Sequence, residues 1–157
     1  MINDNFQLNG TLTIALNNEV VQETKNLVVT VGKEWVANRL KATSAVSGNA
    51  HTQKAEMSHM EIGTDVNPIN THPVAAANTA LVTTKDRNAL TKTGGTVTTT
   101  AIAYACTWLA GDGTGAITEA GIFNAATAGD MFARTKFPVV NKGADDSMTI
   151  TWTVTVS

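Results

Sequence analysis

The hydrophobic pattern is clearest at the C-terminal end of the chain. Met148, Ile150, Trp152, Val154 and Val156 alternate without a break with Thr149, Thr151, Thr153 and Thr155. A period of two predicts a strand with one apolar and one polar face, whereas a helix would scatter these apolar residues around its axis. Threonine suits the polar face because its β-branched side chain favours extended backbone. Leu8, Leu12, Ile14 and Leu16 repeat the alternation, and Asn17-Asn18 is a turn signal before Glu19–Gln22, which predicts an N-terminal hairpin continuing into Asn26–Thr30. Thr96–Thr100 leads into Ile102, Tyr104, Cys106 and Trp108 on alternate positions, with Ala101, Ala103 and Ala105 between them. Small residues on that second face imply that it, too, is covered by something. Ala116–Asn124 and Asp130–Val139 read as two further strands, joined by the small-residue loop 125–129.

Helical spacing is rare. Between Gly32 and Ala42, Trp35, Val36 and Leu40 share one face, and Lys33, Glu34, Asn38 and Lys41 lie off it. A second short helix is expected over Val74–Leu81, which is rich in alanine and follows Pro73. The stretches 43–55 and 64–71 are polar and small, and read as exposed loops. No internal repeat or domain boundary is visible. About seven or eight short strands separated by turn signals predict an all-β fold, an antiparallel sandwich or jelly-roll-like barrel with one or two short helices. We read 1–157 as one β-rich domain with an N-terminal hairpin or arm at about 1–25.

Composition narrows the function. Of 157 residues, 43% are apolar and only 15% charged, below the usual quarter and in keeping with a surface rich in interfaces. A net charge of -2 and no run of Lys or Arg argue against a phosphate-neutralising surface, so nucleic acid is not an expected partner. No apolar run approaches the roughly 18 residues of a membrane span, and Met1–Asn5 shows no secretory signal. No membrane partner is expected, and assembly in a cytoplasm is. Cys106 is the single cysteine, and its apolar neighbours Tyr104 and Trp108 predict a small buried hydrophobe.

The motifs that suggest chemistry fail on their context. Gly111-Asp112-Gly113-Thr114-Gly115 has neither the following helix nor the lysine of a phosphate-binding loop, and reads as an inter-strand connection. A metal site would draw on His51, His59 and His72, with His59 and Glu61 on one strand face, but two ligands are too few for structural zinc. Asp145-Asp146 lacks calcium-loop spacing and fits a turn. No G-x-S-x-G elbow is present, and nothing marks Cys106 as activated by a histidine. No catalytic residue, cofactor or metal is assigned. A carbohydrate-binding module would need exposed aromatics, yet Trp35, Trp108 and Trp152 each lie on an apolar face.

Two charges stand inside apolar strands: Glu119 within Ile117–Phe123 and Arg134 within Met131–Phe137. If 125–129 closes a hairpin, three registers place Glu119 opposite Arg134, Thr135 or Lys136. The expectation is a structural cross-strand ion pair between Glu119 and Arg134; the alternative is two solvated charges on an exposed face.

The segments Ile117-Thr118-Glu119-Ala120-Gly121-Ile122-Phe123-Asn124, Gly129–Thr135, Lys142-Gly143 and Thr149–Trp152 resemble a pattern found in tailed-bacteriophage virion proteins. Asn26–Val29 with Gly32, Met60–Thr64 and Thr79–Leu81 are similar to the same set, so the resemblance spans most of 26–157. Two departures stand out. Thr64-Asp65-Val66 occupies the place of a glycine-threonine-glycine loop, and Asp86 and Arg87 fall a few residues late for an acidic–arginine pair. The resemblance implies a virion structural protein. With no fibre repeat or heptads, the expected role is a capsid decoration (cement) protein on the outer head surface, bridging capsomers of the major capsid protein and favoured as a homotrimer. Segments 1–7 and 43–55 would be docking arms. The alternative is a tail or baseplate component, or fibre adaptor, bound to tail proteins.

Overall fold

A computed structural model describes residues 7–40, 53–67 and 71–157. The chain runs β1 (Leu8–Leu16), β2 (Glu19–Lys25), β3 (Leu27–Val28), α1 (Thr30–Arg39), β4 (His59–Gly63), β5 (Thr84–Ala89), β6 (Thr96–Thr98), β7 (Ala101–Trp108), β8 (Gly115–Phe123), β9 (Met131–Lys142) and β10 (Met148–Val156). Two antiparallel five-stranded sheets form an all-β sandwich with one short helix among the described residues. The first sheet has the order β2-β1-β10-β7-β6 and the second β3-β9-β8-β4-β5.

The register follows from alternation. Trp152 of β10 lies between Leu12 of β1 and Tyr104 of β7, and Ile150 between Ile14 and Cys106, so the apolar positions of three strands fall on one face. That face meets Met60, Ile62, Ile117, Ala120, Ile122, Ala133 and Phe137 of the second sheet across a single core. Trp108 and Trp152 are fully buried there, as is Cys106, whose thiol burial pushes up to about 12. Each fully buried leucine, isoleucine, phenylalanine or methionine side chain in this core stabilises the fold by roughly 1.5–3 kcal/mol. The β1–β2 hairpin turns on Asn17 and Asn18, with φ of 49° and 68°, the left-handed pair that a two-residue hairpin of matching twist requires.

The helix is shifted from its expected position. It starts at Thr30 and ends at Arg39, with Leu40 as its C-cap, which stays 83% exposed instead of joining the apolar face. Residues 26–30 accordingly contribute only the two-residue β3. Gly32 sets the approach of α1 to β9: a Cβ there would lie 2.0 Å from the Phe132 carbonyl oxygen. Trp35 meets Phe132 edge-on, with ring centroids 5.8 Å apart, and donates its indole N–H to the Ala55 carbonyl. The helix expected over Val74–Leu81 is absent. Asn78 instead closes a turn, its Oδ1 accepting from the Ala75 amide while its own amide donates to the Ala75 carbonyl. Strand β5, Thr-Lys-Asp-Arg-Asn-Ala, carries no apolar alternation and was invisible to pattern reading. Most of 43–55, and all of 1–6, lie outside the described residues.

Candidate functional site

The outward side of the second sheet is unusually charged. Register places Glu119 opposite Lys136 and Gly121 opposite Arg134 on β8 and β9, with Glu61 and Gly63 of β4 next in line and Arg87 of β5 beyond. Alternation aims all of these away from the core. Three of the charges are nevertheless almost wholly buried: Glu119 is 0% exposed, Arg134 1% and Lys136 4%. The cover is the segment joining β4 to β5, described at 64–67 and 71–83. Its Leu81 packs on Phe123 and Met131 in a small second apolar cluster with Val29. Glycines leave it room. A Cβ on Gly63 would meet the Thr83 carbonyl oxygen at 2.5 Å, and one on Gly121 would lie 3.2 Å from Leu81.

Beneath this strap, two carboxylates and two cations face one another. Arg134 donates to Glu119 Oε2 from Nε (3.0 Å) and from a terminal nitrogen (2.6 Å), and its remaining nitrogen donates to Asn78 Oδ1 at 2.8 Å. The second oxygen of Glu119 accepts the Val82 and Thr83 amides at 2.9 and 3.3 Å. Lys136 donates to Asp65 Oδ2 (2.7 Å) and to the carbonyls of Asn67 and His72 (2.9 and 3.0 Å), which uses all three ammonium hydrogens. Asp65 Oδ2 also accepts from His72 Nδ1 at 2.7 Å and is reached by Arg134 at 3.4 Å. Its Oδ1 accepts the backbone and side-chain amides of Asn67. Burial would raise the Asp65 carboxyl, but Lys136, the Asn67 amides and His72 together hold it well below the usual carboxylate range.

The structure therefore brings Glu119 and Arg134 together as a buried, two-point ion pair, not as solvated charges. The contact is diagonal, because Glu119 registers with Lys136 and reaches Arg134 two residues along β9. Of the other members of this network, Lys136 is one of the three register partners expected for Glu119 and the one observed, and His72 enters the sequence only as a possible metal ligand. Asp65 and Asn67 lie in the 64–71 stretch, which reads as exposed loop, and Asn78 in the expected helix over Val74–Leu81. Only the oddity of an aspartate in place of a glycine-rich loop marked Asp65. A neighbouring pair, Glu61 and Arg87, is tied by short contacts, and Thr84 Oγ donates to Glu61 at 2.6 Å. Arg87 also caps the 125–129 loop through the Ala125 and Ala128 carbonyls and lies 3.7 Å from the Phe123 ring centroid.

The other sequence candidates sit in structural surroundings. His59 Nδ1 bonds Ser58 Oγ, and burial with nearby Arg87 holds its pKa below the ordinary histidine value. Glu61 is committed to Arg87 and Thr84, and His51 lies outside the described residues. Among the described residues no group of three His, Cys, Asp or Glu is placed to hold a metal. Asp146 serves the turn before β10, accepting from Asn17 and from the Gly143 amide at 2.7 and 2.8 Å.

The outward side of the first sheet is the reverse case. Thr11, Thr13 and Ala15 of β1, Thr149, Thr151, Thr153 and Thr155 of β10, and Ala101, Ala103, Ala105 and Thr107 of β7 fall on it in register. None of these is ionisable. They are exposed or half-buried, and Glu23 and Lys25 enter only on the edge strand β2. Thr107 and Thr149 hydroxyls bond across the strands at 2.9 Å. No protein-family model matches this chain, and searches of curated proteins and of solved structures return no match.

Proposed function

We propose that the chain is a capsid decoration (cement) protein, which binds the outer surface of a tailed-phage head and stabilises the shell by bridging capsomers. The observation that carries this reading is the uncharged threonine–alanine face of the first sheet. A protein free in solution gains solubility from charge on such a face, whereas the centres of protein interfaces are depleted in charge. Low relief and short side chains suit close packing against a neighbouring subunit. The partner would be the major capsid protein, with a homotrimer as the favoured assembly unit. Modest contacts then multiply through the symmetry of the shell. The reading assigns no catalytic residue, cofactor, nucleic-acid or membrane role. It places the chain on the outer head surface after assembly in the host cytoplasm.

Immunogold labelling of the source phage with an antibody to this chain tests the proposal. Label spread over the head is the expected result. Label confined to the tail tip or collar overturns it in favour of a tail or baseplate component.

A further inference from the structure

A chain that bridges two neighbours needs a second docking surface besides the face of the first sheet. The strap on the opposite side of the sandwich presents one. Val66 and Val82, on its two limbs, are 87% and 48% exposed and flank a dimple of about 330 Å³ completed by Thr64, Thr83, Lys85 and Ala116. Exposed valines on a loop are ordinary; these stand on a backbone held from beneath at both limbs. The Thr64 amide donates to the Thr83 carbonyl (2.8 Å), Thr64 Oγ to the Ala116 carbonyl (2.9 Å) and the Asp65 amide to Thr118 Oγ (2.7 Å). The Val82 amide is fixed by Glu119.

The rim is built as well. The β4–β5 ladder pairs Ile62 with Asp86 but Gly63 with Thr84, which leaves Lys85 as the extra residue of a bulge. Bulges re-aim side chains, and here the bulge sends the Lys85 ammonium towards Gly115, where a Cβ would lie 3.4 Å from it. Lys85 has no ion-pair partner among the described residues. An apolar cleft with one unpaired cation at its rim is complementary to an aliphatic side chain next to a carboxylate.

We propose that the Val66–Val82 dimple docks an extended segment of a neighbouring virion protein, which inserts an aliphatic side chain between the two valines and sets a carboxylate on Lys85. This rests on the virion reading above and adds the second surface that bridging requires. Because the strap is already held by buried ion pairs, docking costs little ordering entropy.

The test is co-sedimentation of the purified chain with particles assembled without it, comparing wild type with Val66→Asp, Lys85→Glu and, on the other face, Thr151→Lys. Circular dichroism and melting confirm that each variant is folded. We expect Val66→Asp and Lys85→Glu each to weaken binding by about tenfold or more, as loss of an interface anchor does. Wild-type binding should weaken with salt more steeply than that of Lys85→Glu. Wild-type binding that both strap variants retain overturns the dimple alone and leaves the virion reading in place. Failure of the wild type to bind either heads or tails overturns both.

Discussion

The two outward faces of the sandwich differ in a way that inverts the usual rule. The first sheet turns threonine and alanine outward, and this uncharged face stays open. The second turns Glu61, Glu119, Arg87, Arg134 and Lys136 outward; Glu119, Arg134 and Lys136 are buried beneath the strap between β4 and β5, while Arg87 stays half-buried against the 125–129 loop. Charge here marks the covered side. The reason lies in what each face must hold. The first face has no irregular segment to hold, so threonine, whose β-branched side chain favours extended backbone, suffices there. A face that must fix an irregular strap has to satisfy the strap's amides and carbonyls, since unpaired buried polar groups cost about 1–3 kcal/mol each. The Glu119 carboxylate for the amides, the Lys136 ammonium for the carbonyls and the Arg134 guanidinium for the Asn78 side chain meet that need, and the two signs balance each other.

The comparison can be broken from the buried side first. Arg134→Met leaves the buried Glu119 without its cation, Asp65 keeping Lys136 and His72, and removal of one partner from a buried ion network costs about 3–5 kcal/mol. Urea denaturation should show that loss, and a change below about 1 kcal/mol would mean that the network is not the strap's anchor.

Acid gives a smaller and graded effect. The folded structure holds the Asp65 carboxyl below its ordinary value of 3.8, so its ionised form stabilises the fold above that pH. The contribution is lost as pH falls from there towards the lower folded value. The stability difference between wild type and Asp65→Asn should therefore be constant near neutrality and shrink below about pH 4. A difference that stays unchanged into strong acid would show that Asp65 acts through shape and not through charge.

Thr151→Lys, on the open face, should change the stability of the free chain by no more than about 0.5 kcal/mol, since it touches no cap, core or network. A larger loss in thermal melting would show that this face is already covered in the isolated protein.

Much of the first sheet was legible residue by residue. Met148–Val156 and Ile102–Trp108 alternate so regularly that both strand identity and inward face follow from the chain, and Asn17-Asn18 announces its own turn. The second sheet was only half legible. Its hairpin β8–β9 was readable, but β5 has no apolar period and β3 is two residues long, so neither has a pattern to read. The expected helix over Val74–Leu81 rested on alanine's intrinsic preference, which Asn78 overrides by bonding the local backbone and Arg134 together. Spacing alone puts Leu40 on the helix face, but as the C-cap, one turn beyond Val36, it packs on nothing that buries it.

In regular strands such as β7 and β10 the sequence by itself determined which residues share a face, because a strand's side chains alternate whatever it packs against; in β8 a bulge sets Ile117 and Glu119 on opposite faces despite their even spacing. The sequence also limited the cross-strand neighbour of Glu119 to Arg134, Thr135 or Lys136, since the hairpin loop allows only a few registers. Only the tertiary structure decided which face meets water. Burial of the charged face depends on a segment more than 35 residues away from Glu119 in the chain, whose Asp65, Asn78 and Val82 reach it across the sheet. Alternation is a local property of the backbone; cover is set by long-range contacts that no local pattern encodes.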